Sequence, residues 1–185
     1  HMIVAAMLCA LLPGCSTVGY YWQAAIGQWR VQDAARPLDE VLAAPGTDAA
    51  LRARLETARS LRDFASRELA LPDNGSYRRY ADLERPFVVW NVFAAAERFA
   101  AQLAGEGMDV FVYGVPAYST LGWFDDPLLN TFIHYPRAEL ARLVFHELAH
   151  QVAYAPGDST FNESFATAVE LDGVRRWLAR SGTRA

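Results

Sequence analysis

Between about residues 20 and 70, apolar positions recur every three to four residues, the spacing of a helix with one buried face. The stretch "YYWQAAIGQWRVQDAARPLDEVL" reads as helix interrupted near Arg36-Pro37. "DAALRARLETARSLRDFASREL" reads as a second helix, with Leu51, Leu55, Ala58, Leu61 and Leu69 along it and Asp48 placed to cap it. Leu71-Pro72-Asp73-Asn74-Gly75 has the composition of a turn. The pattern then changes. "PFVVWNVF" has strand chemistry, and "AAAERFAAQLAGEG" predicts a short helix stopped by Gly105 and Gly107. "MDVFVYGVPAYSTLGWF" places Val110, Val112 and Val115 among aromatics, with Gly114 and Pro116 interrupting. It predicts a strand running into an edge-like extended segment. Asp125-Asp126-Pro127 makes a turn, and "LLNTFIHYP" reads as another strand. From Pro136 the helical period returns, with Leu140, Val144, Leu148 and Val152 on one stripe. Ala155-Pro156-Gly157 then forces a reversal, and a last helix starts at Ser159 or Thr160 and runs to about Arg180. The order predicts an α+β fold: helices, a small sheet with an edge strand beside the penultimate helix, then two long helices.

Length and charge narrow this little. A chain of 185 residues suits one domain with its own core, and a net charge of −4 offers no basic footprint for nucleic acid. The positive side chains are all arginine. Both cysteines, Cys9 and Cys15, lie in the first fifteen residues, so nothing downstream can form a disulfide or a thiolate metal site.

The chemistry concentrates in "FHELAHQVAYAPGDSTFNESFATAVE". His146 and His150 are four residues apart and so share a helix face one turn apart, where two imidazoles can reach one metal ion. Glu147 follows the first histidine, completing the H-E-x-x-H arrangement. There zinc lowers the pKa of water and the glutamate takes its proton. A catalytic site needs a third protein ligand. Glu163 lies in the first turn of the returning helix, where it can face the histidines or instead close a capping box with Thr160. Glu170, two turns on, can hold a ligand imidazole in its tautomer or lie in solvent. His134 reads as a strand-end residue more readily than as an extra ligand.

At the other end, "IVAAMLCALLPGC" is an apolar run of about a dozen residues, the length of a signal-peptide core and too short to span a bilayer. Its end, Leu12-Pro13-Gly14-Cys15, resembles the bacterial lipobox. That implies a signal peptide over 1–15, lipidation of Cys15, and a single mature domain over 16–185. This domain would have a helical part at about 20–70 and a catalytic part at about 86–180. Ser16 after the cysteine resembles the sorting signal for the outer membrane, with the domain facing the periplasm.

"HELAH" with "NESFATAVE" resembles the gluzincin metallopeptidases, in which Asn-Glu-x-Phe-Ala and a further glutamate follow the first motif. Twelve residues separate His150 from Glu163, fewer than in zinc aminopeptidases of that kind. The chain as a whole is similar to a family of bacterial lipoproteins described as predicted aminopeptidases. The similarity runs through "GCSTVGYYWQAAIGQ", "AARPLDEVL", "LPDNGSYRRYADLERPFVVWNV" and "YGVPAYSTLGWFDDPLLNTFIHYP". It implies a zincin-like fold, Zn2+ held by His146, His150 and Glu163, and Asn162 and Glu170 supporting those ligands. It also implies a peptide substrate and a membrane anchor through lipid. An aromatic segment with two cysteines, which family members carry between "WNVFAA" and "AERFAAQL", is absent, so the resemblance is to a shortened member.

On this reading Glu147 is general base and then acid, and Tyr154 and Tyr118 are the phenols that can donate to the developing oxyanion. "GVPAYSTLGW" can pair with a substrate backbone by strand addition or be an ordinary core strand. Asp125, Asp126 and Glu170 can each take a substrate's amino group. A rival reading keeps the zinc and drops the catalysis: a zinc-stabilised, membrane-tethered binding or assembly module, in which Glu147 has no chemical task.

Overall fold

The structure, a computed structural model, describes residue 22 and residues 25–88, 90–110, 115 and 117–182, with the backbone alone over 90–96. The chain divides into two units, His1–Ala34 and Ala35–Ala185. In the first, residues 25–34 form helix α1. The second runs β1 (Arg36–Pro37), α2 (Leu38–Ala43), α3 (Ala49–Leu69), β2 (Arg79–Ala81), α4 (Trp90–Gly105), β3 (Leu128–Leu129), α5 (Arg137–His150) and α6 (Ser159–Ser181). This is the α+β class that the pattern predicts, weighted heavily towards helix.

The helix signals act as expected. Asp48 caps α3 by accepting from the N–H groups of Ala50 (2.8 Å) and Leu51 (3.1 Å), worth about 1 kcal/mol. Leu55, Ala58 and Leu61 of α3 are fully buried, and so are Leu140, Ala141, Val144, Phe145 and Leu148 of α5. Phe64 of α3 joins the two faces, with ring centroids 6.0 Å from Phe145 and 5.3 Å from Trp177 of α6. Gly173 of α6 lies tight against both α3 and α5. A Cβ there would meet Leu69 Cδ1 at 2.7 Å and Phe145 Cδ2 at 2.8 Å, inside van der Waals contact. Val152 is a correction: it lies beyond the end of α5 and is exposed, not on the buried stripe.

The predicted strands fare differently. The sheet is small, ordered β1-β2-β3, with Arg36 opposite Tyr80 in the antiparallel pair and Tyr80 opposite Leu128 in the parallel pair. "PFVVWNVF" is not a strand, because α4 starts at Trp90 and the six alanines that follow favour helix over the β-propensity of the valines. No edge strand forms over residues 117–124. The Thr120 N–H goes to the Asp126 carboxylate (2.8 Å) and the Leu121 N–H to the Ser119 hydroxyl (3.1 Å), so local side chains take the donors a ladder needs. Leu121 and Gly122 turn the chain with φ of 55° and 82°. "LLNTFIHYP" keeps only Leu128–Leu129 as strand. Asn130 then accepts from Leu83 N–H (2.9 Å) and donates to Arg85 C=O (3.0 Å), and residues 131–134 turn. His134 is exposed in that turn rather than at a strand end.

Loop 71–78 is bound to α3 by Arg62, which is wholly buried. It donates to the carbonyls of Ser76 (2.7 Å), Pro72 (2.6 Å) and Asn74 (3.1 Å). Asn74 and Ser76 then meet Gln151, the residue after α5, at 2.7 and 3.3 Å. The C-terminal end of α5 is therefore held from the side as well as by its own core face.

Candidate metal centre

Helix α5 ends at His150 and the chain reverses through Gly157, at φ 83°, into α6. Asp158 caps α6 by accepting from Phe161 N–H at 2.9 Å. The cap is thus supplied without Glu163, and the alternative capping box with Thr160 is not what forms. Asn162, almost fully buried, closes the loop. Its Oδ1 accepts from Ala155 N–H (2.7 Å) and its Nδ2 donates to Ala155 C=O (2.9 Å). Asn162 therefore supports Glu163, beside it in the chain, by holding backbone and not by touching a histidine.

With the loop closed, Glu163 faces the histidine pair. Its Oε2 lies 3.2 Å from His146 Nε2 and its Oε1 3.7 Å from His150 Nε2, while the two Nε2 atoms are 3.1 Å apart. His146, His150 and Glu163 form one group whose ligating atoms all lie within 4.8 Å of one another. Glu163 is the most open of the three, at 64% exposed, and His150 the most enclosed, at 8%.

The donor chemistry fits a cation. Ligands at 2.0–2.1 Å around a tetrahedral ion stand about 3.3–3.4 Å apart, and the observed separations bracket that value. His146 Nδ1 meets Glu170 Oε2 at 2.9 Å, an acceptor that favours a proton on Nδ1 and leaves Nε2 as the nitrogen turned to Glu163 and His150. Burial, with help from His146, lowers the His150 pKa against the opposing pull of Glu163, which favours the neutral, ligating imidazole. Three lone-pair atoms then converge on one point. Such an array repels itself unless a cation or proton lies between its members.

Glu147 is half-buried beside this group. Burial is the main cause that raises its carboxyl pKa, Glu163 and Asp126 push the same way, and His146 and the Ser119 hydroxyl pull it down. A carboxyl raised in this way is better matched to moving protons near neutrality than an ordinary glutamate.

Of the two phenols, Tyr154 is 51% exposed, its ring 6.5 Å from that of His150 and steeply inclined to it. Tyr118 is half-buried near Asp126; burial first, then that carboxylate, raises its pKa. Asp126 is 4% exposed and its carboxylate is engaged by the Thr120 N–H and hydroxyl. Glu170 is equally committed, to His146 and to Arg142. Asp125 is the exposed member of the three. Cys15 lies outside the described residues.

Two residues near the site had gone unassigned. Arg142, one turn before His146, donates to Glu170 Oε1 from Nη2 (2.9 Å) and Nε (3.2 Å). The i, i+4 spacing to His146 was a visible signal, but its partner on α6 was not. Tyr77 is buried with φ 60°, and burial first, then the charges of Glu147 and Asp126, raises its phenol well above the usual range. Nothing local in the sequence marks it.

Searches of curated proteins and of solved structures returned no match. A family model described as "Putative aminopeptidase" matches residues 19–98 and 94–185, which together take in the whole centre. With nearly all of its length matched, the chain belongs to that family.

Proposed function

We propose that this protein is a zinc-dependent peptidase of the gluzincin type on a zincin-like scaffold. The observation that carries the proposal is the convergence of His146 Nε2, His150 Nε2 and a Glu163 carboxylate oxygen beside Glu147. His146, His150 and Glu163 would hold the ion. When bound, such an ion lowers the pKa of water at its open position and polarises a carbonyl oxygen. Glu147, beside the group, would act as general base and then as general acid, taking a proton from the attacking water and returning it to the leaving amine. Glu170 keeps the His146 Nε2 lone pair turned towards the centre by accepting from Nδ1. Tyr154, open to solvent next to His150, is the first phenol to test as an oxyanion donor, with Tyr118 second. The aminopeptidase family supports a peptide substrate. The family match falls into two segments that overlap at 94–98, next to where the aromatic segment is missing, and this supports a shortened member. The Leu12-Pro13-Gly14-Cys15 motif supports a lipid-anchored protein of the envelope, facing the periplasm.

The test joins elemental analysis to cleavage of a peptide library. The purified protein should carry about one zinc per chain, weakened or lost in Glu163→Ala. Glu147→Gln should keep the zinc and lose hydrolysis. A folded wild-type protein without zinc sinks the proposal. Zinc without hydrolysis would favour the non-catalytic, zinc-stabilised module.

A further inference from the structure

The geometry points to Arg142 as a positioning residue for the metal centre, acting through Glu170 to set the tautomer of His146. This rests on the metal-site proposal for its consequence but on separate contacts for its substance.

The Glu170 side chain is 8% exposed and sits on α6 facing α5. Its two oxygens have different partners. Oε1 takes both donors of Arg142, Nη2 at 2.9 Å and Nε at 3.2 Å, and Oε2 takes His146 Nδ1 at 2.9 Å. A lone glutamate carboxylate rotates easily about its last torsion. Two converging donors on one oxygen remove that freedom and leave the other oxygen aimed at the imidazole. Arg142 and His146 are one turn apart on α5, so a single α6 carboxylate answers both, and the same clamp ties α6 to α5 two turns from Glu163. A buried carboxylate also needs its charge answered, and His146 Nδ1–H alone answers half of it.

Arg142 itself is 46% exposed and makes one further, looser contact, Nη1 to Glu139 at 3.6 Å. It can therefore be changed without opening the core. Lysine would restore the charge but not the two-donor hold on one oxygen.

The experiment uses the full chain, metal-free and then titrated with Zn2+ against a chromophoric chelator. Two-bond 1H–15N correlation spectra of the metal-free protein read the His146 tautomer. The wild type should show Nδ1–H at His146. Arg142→Gln should show a mixture with Nε2–H and bind Zn2+ about ten-fold more weakly. Arg142→Lys should fall between, and Glu139→Gln should match wild type. An unchanged tautomer in Arg142→Gln overturns the inference, whether or not affinity falls, because a loss of affinity alone would mean a charge effect. If the wild type binds no Zn2+, the metal proposal fails while the tautomer still decides the role of Arg142.

Discussion

Replacing Asn162 by Ala removes both hydrogen bonds that close the loop between α5 and α6. Each is a normal bond to the Ala155 backbone, at 2.7 and 2.9 Å, and Asn162 is 3% exposed. At about 1 kcal/mol net per bond the loss is about 2 kcal/mol. Ala155 is only half-buried, so water can reach part of what is freed, and alanine recovers about 0.5 kcal/mol of helix propensity. The expected cost is about 1–2 kcal/mol, measured as a shift in the urea midpoint of metal-free protein with an unchanged m-value. The same substitution should weaken Zn2+ binding, since the clamp sets where α6 begins and so where Glu163 stands. A stability change below about 0.5 kcal/mol would refute the energetic argument. A full stability loss with unaltered Zn2+ affinity would refute the link from loop to ligand.

Three further outcomes follow from the packing. Arg62→Met leaves the buried carbonyls of Ser76, Pro72 and Asn74 without their donor and should cost at least about 3 kcal/mol in urea unfolding; a near-neutral result would mean the loop 71–78 refits. Gly173→Ala should lower Tm although alanine favours helix by about 1 kcal/mol, because its Cβ would press on Leu69 and Phe145 at 2.7 and 2.8 Å. A raised Tm would show that α6 moves off freely. Burial raises the Asp126 pKa against the pull of its Thr120 hydrogen bonds, so its ionisation opposes folding. That cost is complete above the folded pKa and is relieved as pH falls towards the unfolded value. Relative to Asp126→Asn, the wild type should therefore gain stability as pH falls from above its folded pKa towards about pH 4, and a pH-independent difference would contradict this.

The helices were legible because their signals are local. The Asp48 cap, the Arg36-Pro37 break and the Ala155–Gly157 reversal all act over a few residues. The β region was not legible. Over 117–134 the carboxylate of Asp126, the hydroxyl of Ser119 and the amide of Asn130 take backbone partners that a strand would have used. Apolar content there reports burial as much as pairing, since Phe132 and Ile133 are buried in a turn and not in a strand, and at "PFVVWNVF" the alanines beyond it decided for helix.

By itself the sequence determined that His146 and His150 share a face with Glu147 between them, and that a carboxylate-bearing helix returns after a short reversal. A period of 3.6 residues and a Pro-Gly stop suffice for both. Only the tertiary structure decided that Glu163 meets the histidines while Asp158 caps the helix, that Asn162 clamps Ala155, and that Glu170 is divided between His146 and Arg142. It likewise decided that Asp126 and Glu170 turn inward while Asp125 stays exposed. The distance between two helices depends on side chains far apart in the chain, here Phe64, Phe145, Gly173 and Trp177. No local period encodes that distance, and the chemistry of the centre depends on it.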